Sequence, residues 1–173
     1  MLYVASFSST LESTLRICKN FLGNKNFSEY QYIDLGCGKG KSLIYYLENY
    51  QSYSKYSPIG IEYDHKLFEI ANKNLINICG YSSDDFNLIL DSATKLNLYL
   101  ETNKLIIYLY NSFQGKTLDA VLDILEDYHH LIIYIDPAEQ FKIQESNYKI
   151  IASKKGKYNA NTWLIAQKII DEN

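Results

Sequence analysis

The sequence predicts an α/β sandwich of three layers, in which a seven-stranded, mostly parallel sheet ends in a C-terminal antiparallel hairpin. Short apolar strand segments alternate with segments of helical periodicity along the chain. Residues 105–110 are almost continuously apolar, which is typical of a parallel strand covered on both faces. Near the C-terminus only about a dozen residues separate successive strands, too few for a full helical crossover, so the sheet should close with antiparallel strands.

The first half of the chain contains the elements that lead into this sheet. Ser9 and Glu12 have the spacing of a capping box and precede an apolar stripe, so a first helix is expected over 10–22. Asp64 has the position of an N-cap before a second clear apolar stripe. Strands are predicted at 32–35, 59–62 and 86–90, and helices at 41–50 and 64–78.

The second half is expected to complete the sheet. Thr117 is the predicted cap of a helix whose apolar residues recur at helical spacing from Leu118 to Leu125. Little helix is expected between 136 and 147, and 154–157 is predicted to be a turn. The strands of this half are predicted at 105–110, 131–135, 148–153 and 162–169.

Length and composition favour one folded domain over residues 1–173, with an N-terminal helix segment at 1–28 and a core at 29–173. Hydrophobic residues make up 47% and charged residues 21%, which excludes a disordered chain. Lysine and arginine total 17 against 20 acidic residues, for a net charge of −3, and Arg16 is the single arginine. This balance argues against a nucleic-acid partner, since phosphate recognition favours basic patches.

The cysteines and the apolar runs indicate the compartment. Cys18, Cys37 and Cys79 are odd in number and lack metal-ligand spacing, so neither a disulfide framework nor a metal site is predicted. Reduced thiols suit the cytoplasm. Neither a leader-like N-terminus nor an apolar run approaching the ~18 residues of a membrane span is present, so a cytoplasmic protein without a membrane partner is expected.

The strongest local motif is the segment 32–40, a strand that runs into Gly36, Gly38 and Gly40 and then a helix. Glycines are needed where the backbone turns sharply or approaches a ligand closely. The spacing is G-x-G-x-G rather than that of a dinucleotide site, and Asp34 precedes the first glycine. A carboxylate there would repel a pyrophosphate but suits a ligand that carries an ammonium group. A nicotinamide oxidoreductase is therefore disfavoured.

Acidic and polar residues also end the next two predicted strands. A carboxylate such as Glu62, at the tip of the second strand, can accept hydrogen bonds from both ribose hydroxyls. Asp91 and Ser92 follow the third strand, where an adenine amino group would be held. The predicted site residues also have an interpretation without a ligand. The glycines fit an ordinary loop, Glu62 fits a solvated surface charge, and Asp91 fits a turn or helix-cap residue.

Segments 34–40, 60–62 and 90–92 together resemble the successive motifs of the class I S-adenosylmethionine-dependent methyltransferases, over about residues 3–163. The resemblance implies a Rossmann-like sheet, S-adenosylmethionine as cofactor and methyl transfer as activity. It also implies cofactor contacts for eight residues: Asp34, Gly36, Gly38, Gly40, Glu62, its neighbour Tyr63, Asp91 and Ser92.

The end of the fourth strand, Asn111-Ser112-Phe113, is similar to the Asn-Pro-Phe motif of family members that methylate nitrogen, with serine in place of proline. The resemblance implies a catalytic role for these three residues and a nitrogen acceptor, on a protein lysine or a small molecule. With the proline replaced, a non-catalytic binding module or partner subunit is the alternative.

Further candidates are less specific. A general base is optional, because the sulfonium is already activated and alignment supplies much of the rate. Tyr110, His129, His130 and Asp136 are possible bases, of which the histidines are expected at the wrong end of the sheet. By resemblance, Tyr3, Ser6 and Ser8 belong to a segment that closes over the cofactor.

Overall fold

A computed structural model describes residues 8–156 and 161–169. Its seven-stranded sheet has the order β3-β2-β1-β4-β5-β7-β6. The strands are β1 (Gln31–Leu35), β2 (Ile59–Glu62), β3 (Asn87–Leu90), β4 (Lys104–Tyr110), β5 (His129–Ile135), β6 (Tyr148–Lys154) and β7 (Trp163–Lys168). In this order, the neighbouring strands β3, β2, β1, β4 and β5 pair in parallel. Strand β7 lies between β5 and β6 and is antiparallel to both. The predicted fold class is confirmed.

Two helical layers cover this sheet. The helices are α1 (Ser8–Phe27), α2 (Lys41–Asn49), α3 (His65–Lys73), α4 (Lys116–Leu125) and α5 (Gln140–Gln144). Short 3₁₀ segments occupy 51–53 and 93–98, and a π-helical turn occupies 74–78. None of the helices within the described ranges has the length and apolar character needed to span a bilayer.

The core consists of one apolar cluster on each face of the sheet. Strand β4 supplies Ile106 and Tyr108 to the cluster that includes residues of α1 and α2. Its alternate residues Leu105, Ile107 and Leu109 enter the opposite cluster, which includes the buried face of α4. Both faces of β4 are therefore buried, which explains its continuous apolar sequence.

Three helix predictions need correction. Helix α1 begins at Ser8, so Ser9 lies inside the helix rather than at its cap, and Ser9 accepts a hydrogen bond at its carbonyl from the Ser13 hydroxyl. The helix runs past the predicted end at 22, with an interruption at Gly23, where φ is 73°. The residue that precedes α4 is Gly115, and Thr117 lies within the helix without capping it.

The predicted helix over 64–78 forms as two segments. Asp64 is its N-cap as expected, since its carboxylate accepts hydrogen bonds from the backbone nitrogens of Lys66 and Leu67 at 2.8 and 3.0 Å. The α-helical part ends at Lys73 and continues as the π-helical turn. Between β5 and β6 the chain forms only the five residues of α5, in agreement with the expectation of little helix. Of the predicted turn, Lys157 lies outside the described residues.

Candidate active site

The glycine loop after β1 is fastened to the neighbouring strand β2. The backbone nitrogens of Gly36 and Cys37 donate to the carbonyl oxygen of Ile61 at 2.8 and 3.1 Å. Gly36, Gly38 and Gly40 have φ values of 74°, 58° and 80°, a region that other residues rarely adopt. Gly40 is the N-cap of α2 and supplies no side-chain cap, so the first backbone N–H groups of this helix lie at the loop without a capping side chain.

Asp34 lies beneath this loop and is buried. Its carboxyl accepts a hydrogen bond from the Ser42 hydroxyl, and the Tyr32 hydroxyl lies 3.1 Å from the same Ser42 oxygen. Burial raises the pKa of Asp34 to about 7; the Ser42 hydrogen bond opposes this shift and the nearby Glu62 adds to it. Asp34 thus joins the end of β1 to the start of α2, and its contact with a ligand ammonium stays a prediction.

Glu62 connects the glycine loop to the tip of β2. One carboxylate oxygen accepts from the backbone nitrogen of Gly38 at 2.8 Å, and the other accepts from the backbone nitrogen of Asp64, also at 2.8 Å. A carboxylate has about four lone-pair positions, so each oxygen retains capacity to accept a further hydrogen bond. Tyr63, the next residue, is 82% exposed, the largest exposure among the predicted cofactor residues.

The tip of β3 joins the same edge of the sheet. The backbone nitrogen of Asp91 donates to the carbonyl oxygen of Glu62 at 3.1 Å. The Asp91 carboxylate accepts from the Tyr99 hydroxyl at 2.6 Å and pairs with the Lys95 ammonium at 2.9 Å. These two hydrogen bonds, Tyr99 first, together with the backbone nitrogen of Ser92, lower the pKa of Asp91 to about 2. Ser92 is the N-cap of the 3₁₀ segment that follows.

Tyr99 and Lys95 were not identified from the sequence as partners of Asp91. Lys95 is four residues from Asp91, a spacing that suggests an ion pair only when a helical turn is expected there. No helical segment is predicted between β3 and β4, so the spacing of these two residues did not indicate their ion pair.

The residues after β4 divide between two roles. Asn111 adopts a left-handed backbone with φ of 40° and faces a cavity at the ends of β4, β5 and β7. The Ser112 hydroxyl lies 2.9 Å from the carbonyl oxygen of Leu35 and 3.2 Å from that of Tyr110. Phe113 packs against the core cluster that includes α4. Ser112 therefore joins the end of β4 to the end of β1, and the catalytic role expected for Asn111, Ser112 and Phe113 stays a prediction.

Of the possible bases, only two lie at this edge. The two histidines begin β5 at the opposite edge, as expected, and burial lowers the pKa of His130 to about 4. Burial and the neighbouring Asp136 raise the pKa of Tyr110 to about 12, so its phenol keeps its proton at neutral pH. Asp136 follows β5 and lines the same cavity as Asn111.

The last predicted residues are those of the N-terminal segment that is expected to close over the cofactor. Ser8 is the first residue of α1, whereas Tyr3 and Ser6 lie outside the described residues. Within the described part of the chain, no three His, Cys, Asp or Glu side chains are grouped in a way that could hold a metal ion.

No family model matches the chain, and no curated protein matches it by sequence. Solved structures do match. An rRNA methylase from Streptococcus thermophilus is 12% identical with a TM-score of 0.63, over 98% of this chain and 100% of that one. SMU.1697c from Streptococcus mutans, provisionally a methyltransferase and solved in complex with SAH, is 12% identical with a TM-score of 0.61, over 90% and 97% of the two chains.

A ribosomal protein L11 methylase from Lactobacillus delbrueckii subsp. bulgaricus is 13% identical with a TM-score of 0.61, over 96% of this chain and 80% of that one. At these identities the similarity concerns the fold. The chain therefore has the Rossmann-like fold of these methylases, as its resemblance to the class I methyltransferases implied.

Proposed function

We propose that the chain is an S-adenosylmethionine-dependent methyltransferase whose acceptor atom is a nitrogen, on a small molecule or a protein lysine. One observation carries the proposal: a continuous set of hydrogen bonds joins the glycine loop to two strand tips. The Gly38 nitrogen donates to the Glu62 carboxylate, and the Glu62 carbonyl accepts from the Asp91 nitrogen. Three predicted cofactor-binding segments are thereby held together at the carboxyl edge of the sheet, where open α/β sheets bind ligands.

The residues present fit an amino-acid nucleoside. The backbone N–H groups at the start of α2, which no side chain caps, suit a carboxylate. The open lone pairs of Glu62 suit a pair of hydroxyl donors, and the acidic character of Asp34 and Glu62 suits a cation. Glycine is required at position 36 for packing rather than for ligand binding, because a Cβ there would lie 2.5 Å from the Cβ of Ser112.

When bound, S-adenosylmethionine would supply a methyl group from a positively charged sulfur, and the sulfur would keep the electrons of the broken carbon–sulfur bond as the new nitrogen–carbon bond forms. The chain's own residues have to orient the acceptor and receive its proton. Asn111 and Asp136, on neighbouring strand ends, offer oxygen acceptors for N–H groups. Tyr110, which keeps its phenolic proton, acts as a hydrogen-bond donor toward Asp136 rather than as a base.

The chemical class of the methyl acceptor has a competing interpretation, which is an RNA. One of the structural neighbours is an rRNA methylase and another is a ribosomal protein methylase, so the fold serves both kinds of acceptor. The acidic balance of this chain and its single arginine favour an acceptor other than a long RNA. The free cysteines are compatible with the cytoplasm, which we propose as its location.

Calorimetric titration with S-adenosylhomocysteine tests the cofactor assignment. Binding is expected, and Glu62→Gln should weaken it at least about tenfold, because charge-assisted hydrogen bonds are lost. Glu48→Gln, on the exposed surface of α2, is the matched control and should leave the affinity unchanged. Absence of binding to the folded wild-type protein would overturn the proposal.

Methyl transfer is tested separately, with radiolabelled cofactor and a panel of amines, lysine peptides, nucleotides and RNA. Transfer to nitrogen supports the enzyme. Cofactor binding without transfer to any of these acceptors would instead favour the non-catalytic binding module.

A further inference from the structure

A cavity of about 740 Å³ lies beyond Asn111, on the side of β4 away from the glycine loop. The ends of β4 and β5 form one side of it, and β6 and β7 form the other. Its volume lies in the range of sites for small organic molecules. Its lining includes Asn111, Asp136, Ile150, Lys154, Lys155 and Trp163.

Backbone strain is concentrated around this cavity. Asn111, Asp136 and Asn161 are the non-glycine residues with positive φ among the described residues, at 40°, 44° and 60°. Asn111 and Asp136 line the cavity, and Asn161 directly precedes Thr162, which also lines it. Such conformations cost about 1–3 kcal/mol each and cluster at functional sites.

The strained position of Asp136 is stabilised by Thr162, the residue before β7. Its backbone nitrogen donates to the carbonyl oxygen of Thr162 at 2.7 Å, and its carboxylate accepts from the Thr162 nitrogen at 3.1 Å. One carboxylate oxygen is thus fixed by backbone, and the carboxylate retains capacity to accept hydrogen from a bound molecule. Asn111 is oriented by Gln114, whose side-chain amide donates to the Asn111 oxygen at 3.1 Å.

Positive charge lies at the other side of the cavity. Ile135 pairs with Trp163, which pairs with Lys154, so these residues form a row across three strands. With adjacent strands about 4.8 Å apart, the backbone of Ile135, the residue before Asp136, lies about 10 Å from that of Lys154. Lys154 and Lys155 are exposed, and neither forms an ion pair with any described residue.

On the basis of the proposed function, we propose that this cavity binds the methyl acceptor as a mononucleotide-sized molecule. Its amine-bearing ring would lie against Asn111 and Asp136, and its single phosphate on Lys154 and Lys155. Ile150 and Trp163 supply apolar wall for the ring. Two lysines match a phosphate monoester, which carries a charge of about −1.5 to −2 at neutral pH, better than a carboxylate.

The test is a calorimetric titration of the protein, saturated with S-adenosylhomocysteine, with adenosine, cytidine and guanosine 5′-monophosphates and with the three nucleosides. Saturation keeps these probes out of the cofactor site. At least one nucleotide is expected to bind, with its nucleoside at least about tenfold weaker, because the phosphate contact is missing.

Variants locate the binding. The double variant Lys154→Gln/Lys155→Gln should weaken nucleotide binding at least about tenfold and leave S-adenosylhomocysteine affinity unchanged. Lys149→Gln, also exposed on β6 but outside the cavity lining, is the control and should bind the nucleotide normally. Asp136→Asn should reduce the preference for amine-bearing nucleotides over uridine 5′-monophosphate.

Three results would overturn the inference: no nucleotide bound at millimolar concentration, binding that survives loss of both lysines, or an RNA strand bound far more tightly than any mononucleotide. The proposed function fails by a different result, the absence of S-adenosylhomocysteine binding. In that case the nucleotide titrations on the unliganded protein, with the same variants, still report on the cavity.

Discussion

The contact between Gly36 and Ser112 joins the glycine loop to the end of β4, and replacing Gly36 with alanine tests it directly. A Cβ at position 36 would lie 2.5 Å from the Ser112 Cβ and 2.6 Å from its hydroxyl oxygen. Gly80 is the matched control, because its φ of 78° is close to the 74° of Gly36 but nothing lies within 4 Å of its Cβ position.

The expected magnitudes follow from this difference. A left-handed alanine costs about 1–2 kcal/mol at either position. At Gly36 the overlap adds about 1–3 kcal/mol, the usual cost of excess volume in a packed region. Gly36→Ala should therefore lower the free energy of unfolding by about 2–5 kcal/mol, and Gly80→Ala by about 1–2 kcal/mol.

A double-mutant cycle assigns the excess to Ser112. Ser112→Gly removes the side chain that the new methyl would meet, so Gly36→Ala and Ser112→Gly together should cost about 1–3 kcal/mol less than the sum of the single changes. Gly80→Ala and Ser112→Gly should be additive. Urea unfolding followed by the fluorescence of Trp163, the single tryptophan and 7% exposed, measures each value. Equal losses at both glycines, or no coupling to Ser112, would refute the packing argument.

Further predictions concern buried and partnered titratable groups. Because burial raises the pKa of Asp34 to about 7, the folded protein binds this proton more tightly than the unfolded chain, so its stability contribution declines as pH rises from about 4 to 7. Asp34→Asn should remove this decline in the free energy of unfolding, which is on the order of 4 kcal/mol at most. Urea unfolding of both proteins across this pH range measures it, because the stability difference between wild type and variant should change with pH. A stability difference that stays constant with pH would contradict the prediction. His130 donates from Nδ1 to the Tyr128 carbonyl, so its Nε2 accepts from the Tyr148 hydroxyl at 2.7 Å. Tyr148→Phe should leave that nitrogen unpaired and cost about 1–3 kcal/mol at pH 7, and an unchanged unfolding midpoint would argue against the bond. Tyr99→Phe should raise the pKa of Asp91 from about 2 toward its ordinary range, measured by carboxyl NMR titration, and no shift would mean that Tyr99 is not its main partner.

Much of the fold could be predicted because its signals are local. The cap at Asp64, the apolar run of β4 and the left-handed glycines after β1 each follow from a few adjacent residues. The starts of α1 and α4 were misplaced, since Ser9 and Thr117 have the chemistry of cap residues but lie inside their helices. A capping side chain indicates that a helix begins nearby, while the backbone conformation of the preceding residues fixes the first turn.

The candidate site was predictable only as a set of strand ends. Glu62 and Gly38 are 24 residues apart, and their hydrogen bond exists because β1 and β2 are neighbours in parallel register. The hydrogen bond from the Ser112 hydroxyl to the carbonyl of Leu35, 77 residues away, was not predictable from the sequence, and the catalytic role of Ser112 stays a prediction. The partners of Asp91 depended on a 3₁₀ segment whose short, weakly periodic sequence gave no helical signal.

The sequence by itself determined which segments become strands and helices, and it placed glycines and carboxylates at the ends of the strands, because periodicity and turn chemistry act over a few residues. Tertiary structure alone decided that β7 lies between β5 and β6 and brings Thr162 to Asp136. It also decided that the same strand arrangement opens a cavity between Asn111 and Lys154. Strand order depends on contacts between residues far apart in the chain, whose free energies no local pattern records.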